Sequence, residues 1–150
     1  MAHITEWLTL FNLDMKIFII CSKRFYNRVP AITAELEKKG HILSMPNCFD
    51  DPFTEERYRI AGPAEHTQWK SEMIKHSLQT IENNDAVLVL NFDKDNLKNY
   101  IGGAIFLEMY DAFRLGKKVF MYNDIPEGIL HDEIRGFDPI ILNGNLDKIV

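Results

Sequence analysis

The residues best suited to chemistry in this chain are two acidic side chains, Glu108 and Asp111, in an otherwise apolar stretch. Residues three apart share one face of a helix, so both carboxylates point the same way if the stretch is helical. A carboxylate among Ile, Phe, Leu and Met either reaches water or points into a site, where loss of solvent raises its pKa. A solvated helix face is favoured for Asp111, whereas both interpretations stay open for Glu108.

A pair of glycines, Gly102-Gly103, precedes this stretch. Free backbone amides at the start of a helix attract anions, so one interpretation of the pair is a turn that holds an anion. It belongs to no GxGxxG motif and no Walker A lysine follows it, so a simple tight turn is the favoured interpretation. Similarly, the neighbours His76 and Ser77 offer a titratable ring and a hydroxyl, although an ordinary helix surface accounts for both.

The overall charge limits the class of partner. The 150 residues include 17 Lys and Arg against 22 Asp and Glu, a net charge of −5. A protein that binds a nucleic-acid polymer relies on Lys and Arg against phosphates, so we expect no such partner here. A local site for one phosphate remains compatible with this balance.

The distribution of apolar and metal-ligating residues limits the cellular location, metals and cofactors that we expect for this protein. No apolar run approaches the roughly 20 residues that span a bilayer, so no membrane partner is expected. Cys21 and Cys48 form neither a CxxC pair nor a zinc-binding spacing, and the start of the chain lacks the pattern of a secretory leader. We therefore expect a reduced, cytoplasmic protein. The five His are scattered, so no metal and no cofactor are predicted.

The elements that must position these residues alternate between strands and helices. Short apolar runs predict strands at 16–21, 41–45, 85–90, 118–122 and 139–142, and helical spacing predicts helices near 30–39, 68–83, 101–115 and 127–135. Because parallel strands need right-handed crossovers, this order predicts an α/β fold. We expect a flavodoxin-like, doubly wound, five-stranded parallel sheet of order 2-1-3-4-5 with helices on both faces.

Two segments stand apart from this alternation. Residues 1–14 form an N-terminal extension to a domain at 15–150, either dispensable or a short docking helix. Residues 46–67 form a long polar stretch, which we expect to be a lid or a specificity loop. Ligands of such sheets bind beyond the carboxyl ends of the strands, which nominates 21–26, 91–103 and the loop at 123–126.

Part of the chain resembles the nucleoside 2-deoxyribosyltransferase-like family. The segment NDAVLVLNFDKDNLKNYIGGAIFLEMYDAFRLGKKVFMYNDIPEGI contains the strand after Asp85, then Gly102-Gly103, Glu108 and Gly116-Lys117, in the order of the family pattern. The segment MKIFIICSKRFY looks like the family's first strand and substrate-binding turn. The resemblance covers roughly 15–150 and is vague at 46–67.

The resemblance implies an enzyme of the N-glycosidic bond. Members exchange bases between deoxyribonucleosides or hydrolyse deoxynucleoside monophosphates, and Glu108 matches their nucleophile, which forms a covalent glycosyl ester. Small-molecule nucleosides or nucleotides are then the ligands, and a homodimer or larger homo-oligomer is implied. Together with the strand-end rule, the resemblance predicts substrate contacts at Cys21, Ser22, Lys23, Tyr26, Asn91, Tyr100, Gly102 and Gly103.

Two positions depart from the family pattern. Ser77 and Gly102 each stand where many members have an aspartate that assists the reaction. His76 is therefore the expected catalytic acid, since its ordinary pKa lies near neutrality, and Asp93 or Asp95 offers a replacement carboxylate. Two alternatives stay open: a non-catalytic nucleotide-binding or regulatory module of this fold and, with less support, a TIR-like NAD glycohydrolase.

Overall fold

A computed structural model describes residues 14–150, which contain one parallel sheet of five strands in the order β2-β1-β3-β4-β5. The predicted flavodoxin-like α/β fold is therefore confirmed. The expected extension at residues 1–14 lies outside the described residues, apart from Asp14. The strands are β1 (Lys16–Ile20), β2 (Ile42–Ser44), β3 (Ala86–Val89), β4 (Lys118–Met121) and β5 (Ile140–Ile141).

The two central strands, β1 and β3, owe their position to continuous apolar sequence. All of β3 and the last four residues of β1 are buried, as expected for strands covered on both faces. Their register pairs Ile17 with Ala86 and Ile20 with Val89, so both strands end at the same level. The residues that follow β1 and β3 are thereby brought side by side.

Five α-helices within the described residues connect the strands. They are α1 (Val29–Lys38), α2 (Thr54–Ala61), α3 (Pro63–Glu82), α4 (Gly103–Arg114) and α5 (His131–Gly136), with 3-10 turns at Lys23–Arg28 and Leu146–Lys148. Proline has no backbone N–H, and it fits the first turn of a helix because the N–H groups of that turn have no partner within the helix. Pro30 and Pro63 occupy this position in α1 and α3.

The helices cover both faces of the sheet and divide the core into two. On one face, Val29 and Leu36 of α1 pack against alternate residues of β1 and β3. On the other face, Ile81 of α3 and Met109 of α4 pack against the intervening residues. Each large apolar side chain buried in this way contributes roughly 1.5–3 kcal/mol. The second layer fixes α3 and α4 beside each other.

The polar stretch 46–67 differs from the prediction of a long loop. It contains α2, and α3 begins at Pro63, not near residue 68. No residue of α2 is buried, so its sequence lacks the apolar periodicity that would have predicted a helix. Gly62, with φ of +145°, provides the backbone conformation that separates α2 from α3.

The helices described above include no candidate membrane-spanning segment. Within residues 14–150, none combines the length and the apolar character that crossing a bilayer requires.

Candidate active site

A cavity of about 470 Å³ opens at the carboxyl ends of β1 and β3. The chain leaves these neighbouring strands toward helices on opposite faces of the sheet, which creates a crevice between them. The segment 46–55, α2, one face of α3 and the start of α4 complete its walls. Of the residues predicted from sequence, the lining includes Cys21, Ser22, Lys23, Tyr26, Tyr100, Gly102, Gly103 and Glu108.

Glu108 is the acidic residue whose ionisation the cavity changes most. It lies on α4 and is partly buried. Burial raises the pKa of its carboxyl group to about 8; a hydrogen bond from Ser77 opposes this rise and the charge of Asp111 adds to it. The carboxyl group therefore titrates close to neutral pH, which suits a group that changes its protonation or forms a bond during a reaction.

Ser77 lies beside the Glu108 carboxyl group and lowers its pKa. Ser77 is buried on α3, and its hydroxyl oxygen accepts a hydrogen bond of 2.6 Å from the Asn47 side chain. The hydroxyl hydrogen of Ser77 is not used in that bond and is available to the Glu108 carboxyl group. Asn47 also accepts a hydrogen bond of 2.8 Å from the Tyr26 hydroxyl through its backbone carbonyl. A network from Tyr26 through Asn47 and Ser77 thus reaches Glu108.

Cys21 and Tyr26 present neutral groups to the same cavity. Burial raises the pKa of the Cys21 thiol to about 12, and the charge of Glu108 adds to the rise. Burial likewise raises the pKa of the Tyr26 hydroxyl, and nearby Cys21, Cys48, Glu108 and Glu55 add to it. Both groups stay protonated at neutral pH, so the wall beside Glu108 has no further negative charge from these two residues.

The turn after β1 and the start of α4 lie together in the lining. The turn contributes the Ser22 hydroxyl and the Lys23 ammonium group, and Lys23 also pairs with Glu56 of α2. A Cβ at Gly102 would lie 3.0 Å from the Tyr100 hydroxyl, whereas the space beside Gly103 is open. A ligand can therefore approach the backbone closely here, where the first amides of α4 are free of helical partners.

Comparison with protein-family models, with curated proteins and with solved structures found no match to this chain.

Two predicted site residues do not line the cavity. His76 is exposed on α3, one residue away from the buried Ser77. Asn91 is fully buried beneath the loop after β4, where its side chain donates hydrogen bonds of 3.0 Å to the carbonyls of Asn123 and Asp124. Its amide oxygen accepts a third bond, of 2.9 Å, from the Asn123 backbone. The structure assigns Asn91 to the support of this loop.

We expect the replacement of Asn91 by alanine to destabilise the protein without removing the cavity. Three lost side-chain bonds, with backbone groups left unpaired, cost about 3 kcal/mol. That corresponds to a fall in melting temperature of roughly 6–12 °C, measured by circular dichroism. The exposed Asn96 provides the matched control, since Asn96→Ala should leave the melting temperature unchanged. Equal melting temperatures for the two variants would contradict the structural role.

The replacement acids considered from sequence also lie at the surface. Asp93 is exposed, and its carboxylate accepts a hydrogen bond of 3.0 Å from the Asn99 backbone. Asp95 is exposed and pairs with Arg24. Asp111, by contrast, is partly exposed and lines the cavity. Its spacing of three from Glu108 was the available signal.

From sequence we expect the segment 46–67, which contains α2, to be a lid or a specificity loop, but no contact is predicted there or on the apolar face of α3. Trp69 and Met73 line the cavity together with Ser77, and a spacing of four places all three on one face of α3. Glu55, Arg59 and Lys70 also face it. No local signal marks Asn47 or Glu55, because they reach the site through tertiary packing. Among residues 14–150, no three His, Cys, Asp or Glu side chains are arranged to hold a metal.

Proposed function

We propose that this protein cleaves or transfers at the N-glycosidic bond of a deoxynucleoside or its 5′-monophosphate, through a glycosyl ester on Glu108. The observation that carries the proposal is the placement of a hydrogen-bonded, partly buried carboxyl group in a 470 Å³ cavity at the switch point of the sheet. The resemblance to the nucleoside 2-deoxyribosyltransferase-like family supports the same residue as nucleophile.

The proposed reaction has two steps. In the first, a carboxylate oxygen of Glu108 bonds to the anomeric carbon while the bond from that carbon to the base nitrogen breaks. The electron pair leaves with the base, which takes up a proton. In the second step, water or an acceptor base attacks the same carbon and Glu108 returns as a carboxylate. Positive charge develops on the sugar in both steps, and the Glu108 carboxylate stabilises it.

Other residues of the cavity suit supporting roles. The Ser22 hydroxyl, the Lys23 ammonium group and the first amides of α4 offer donors for a 5′-phosphate. Asp111, which lines the cavity three residues from Glu108, supplies a second carboxyl group for proton transfer to the leaving base or from water. The Ser77 hydroxyl holds the nucleophile in orientation. A homo-oligomeric, cytoplasmic enzyme is part of this proposal.

The pKa of Glu108 predicts how the rate depends on pH. Only the carboxylate is a nucleophile, and with a pKa of about 8 roughly a tenth of it is ionised at pH 7. We expect kcat/KM for base release to rise about tenfold between pH 7 and pH 9 and then level off. The measurement is a pH profile of kcat/KM for base release at constant ionic strength, with controls for the effect of each buffer. A rate that falls over this interval would assign Glu108 the role of an acid instead.

The second candidate function is a non-catalytic nucleotide-binding module. Ser77, which cannot act as an acid at neutral pH, contacts Glu108 where the family pattern has an aspartate, and this favours a protein that retains binding without turnover. Such a module would be stabilised by its nucleotide while leaving the ligand intact.

One experiment separates the two candidates. The purified protein is incubated with deoxynucleosides, their 5′-monophosphates and NAD, with and without a free acceptor base, and base release is followed by chromatography. Release that Glu108→Ala abolishes supports the glycosidic-bond enzyme, and dependence on the acceptor base identifies a transferase. Release from NAD alone would favour a NAD glycohydrolase. Thermal stabilisation by a nucleotide with no release from any substrate would favour the binding module.

A further inference from the structure

The outer wall of the cavity, formed by Glu55, Arg59 and Lys70, has no role in the steps above. Lys70 precedes Ser77 by seven residues on α3, which is about 10 Å along the helix. Lys70 and Ser77 both line the cavity that contains Glu108, so this wall and the nucleophile face the same space. A sugar placed over Glu108 has these three side chains within the same cavity as candidate contacts for its base.

Glu55 presents one free carboxylate oxygen. Three cationic or polar side chains contact its Oε2 atom: Arg59 at 3.1 Å, His66 at 2.9 Å and Lys70 at 2.9 Å. Within residues 14–150, no side-chain hydrogen bond reaches its Oε1 atom. Burial opposes ionisation of this group, but Lys70, His66 and Arg59 hold its pKa at about 2. Glu55 is thus a fixed acceptor beside cationic donors.

Aromatic packing holds this wall in place. Trp69 stacks with Tyr58 of α2 at a centroid distance of 5.8 Å and with His66 at 6.1 Å. The Lys70 ammonium group lies 5.3 Å from the centre of the Trp69 ring. These contacts join α2 to α3, so Glu55 and Lys70 keep their relative positions before a ligand arrives. Preorganised groups of this kind discriminate between ligands at low entropic cost.

The wall suits a ligand edge that carries both a donor and an acceptor. A second anionic group is disfavoured, because it would have to approach the permanently ionised Glu55 carboxylate. An N–H next to a C=O matches the arrangement, since the N–H donates to Oε1 and the oxygen accepts from Lys70 or Arg59. The amino group and ring nitrogen of adenine or cytosine offer the same pattern, so the acidity of the donor has to distinguish the two classes of base. A lactam N–H is more acidic than an exocyclic amine, and a more acidic donor binds a carboxylate more strongly.

We infer that Glu55 and Lys70 select a base with a lactam edge, that is, a 6-oxopurine or a 2,4-dioxopyrimidine, over the amino bases adenine and cytosine. The inference rests on the proposed function, because that function places a base against this wall. It names Glu55 as a specificity-determining residue separate from the nucleophile.

The test is a binding measurement with matched ligands. Calorimetry is carried out on the Glu108→Gln protein, which lacks the proposed nucleophile and so leaves the ligand intact. It compares the 5′-monophosphates of 2′-deoxyinosine and 2′-deoxyadenosine, and then those of 2′-deoxyuridine and 2′-deoxycytidine. We expect the lactam member of each pair to bind roughly 10- to 100-fold more tightly. Adding Glu55→Gln should reduce the preference to about threefold or less. Adding Glu72→Gln, at an exposed position of α3 outside the cavity, should preserve it.

Several results would overturn the inference. These are equal binding within each pair, a preference that survives Glu55→Gln, or no binding of any of the four nucleotides. Lys70→Gln gives an independent check if Glu55→Gln fails to fold, since it should weaken lactam ligands more than amino ligands. Turnover by the wild-type protein without a lactam preference would contradict this inference alone. A lactam preference without turnover of any substrate would contradict the proposed function alone.

Discussion

Removal of the Glu108 carboxylate is expected to lower the rate of base release by about 10³-fold or more, because the covalent route requires an oxygen nucleophile at this position. Glu108→Ala removes the group, and Glu108→Gln keeps its size with an amide that is a far weaker nucleophile. Base release is measured with the best substrate found, under single-turnover conditions. Neither variant should form the glycosyl ester that rapid acid quenching and mass spectrometry would detect on wild-type protein.

The identity of the peptide that carries the added mass of the sugar shows which residue forms the ester. In the wild-type protein that peptide should contain Glu108, and the added mass should disappear when water or an acceptor base is allowed to react. Asp111→Asn leaves the nucleophile in place, so it should slow the reaction while ester formation remains detectable. Wild-type turnover by either Glu108 variant, or an adduct on another residue, would contradict the assignment.

The second large effect is a gain in stability when Glu108 is made permanently neutral. The pKa of this carboxyl group is about 8 in the folded protein against an ordinary value of 4.5. The folded state therefore binds more protons, and the group's favourable contribution, complete below pH 4.5, is lost as pH rises through 8. Allowing for partial exposure, Glu108→Gln should be more stable than wild type at pH 9 by on the order of 2–3 kcal/mol.

Thermal unfolding as a function of pH checks this expectation. The melting temperature of Glu108→Gln should exceed that of the wild type by roughly 4–12 °C at pH 9, and the difference should vanish near pH 4. Glu72→Gln, on the exposed side of α3, should follow the wild-type curve at every pH. Parallel curves for wild type and Glu108→Gln would mean that Glu108 is solvated in the folded protein.

The correctly predicted parts of the fold are those whose sequence signal is local. Each residue of β3 is apolar and buried, and the run from Ile17 to Ile20 in β1 behaves in the same way. Their order along the chain, with the rule for right-handed crossovers, leaves few topologies, so the strand order followed. The helix α2 was missed because none of its residues is buried, so no apolar periodicity marked it.

The site was predicted only in part, for a related reason. Glu108 and the pair Gly102-Gly103 stand out from their neighbours, and most of the substrate contacts expected around them do line the cavity. His76 and Ser77 show the limit of this reasoning. They are adjacent in sequence, but successive helical residues point in directions about 100° apart, so one is exposed and the other contacts Glu108.

Patterns in the sequence were enough to predict the α/β class, the order of the strands and the acidic residue on which the proposed chemistry depends. These properties follow from hydrophobic patterns and residue types that a short stretch of chain contains. Only the packed structure shows that Asn47 bonds to Ser77 beside Glu108, that Asn91 supports a loop, and that Glu55 faces the cavity. Hydrogen bonds between side chains about 30 residues apart, and the loss of solvent that sets the Glu108 pKa, exist only once the helices pack on the sheet.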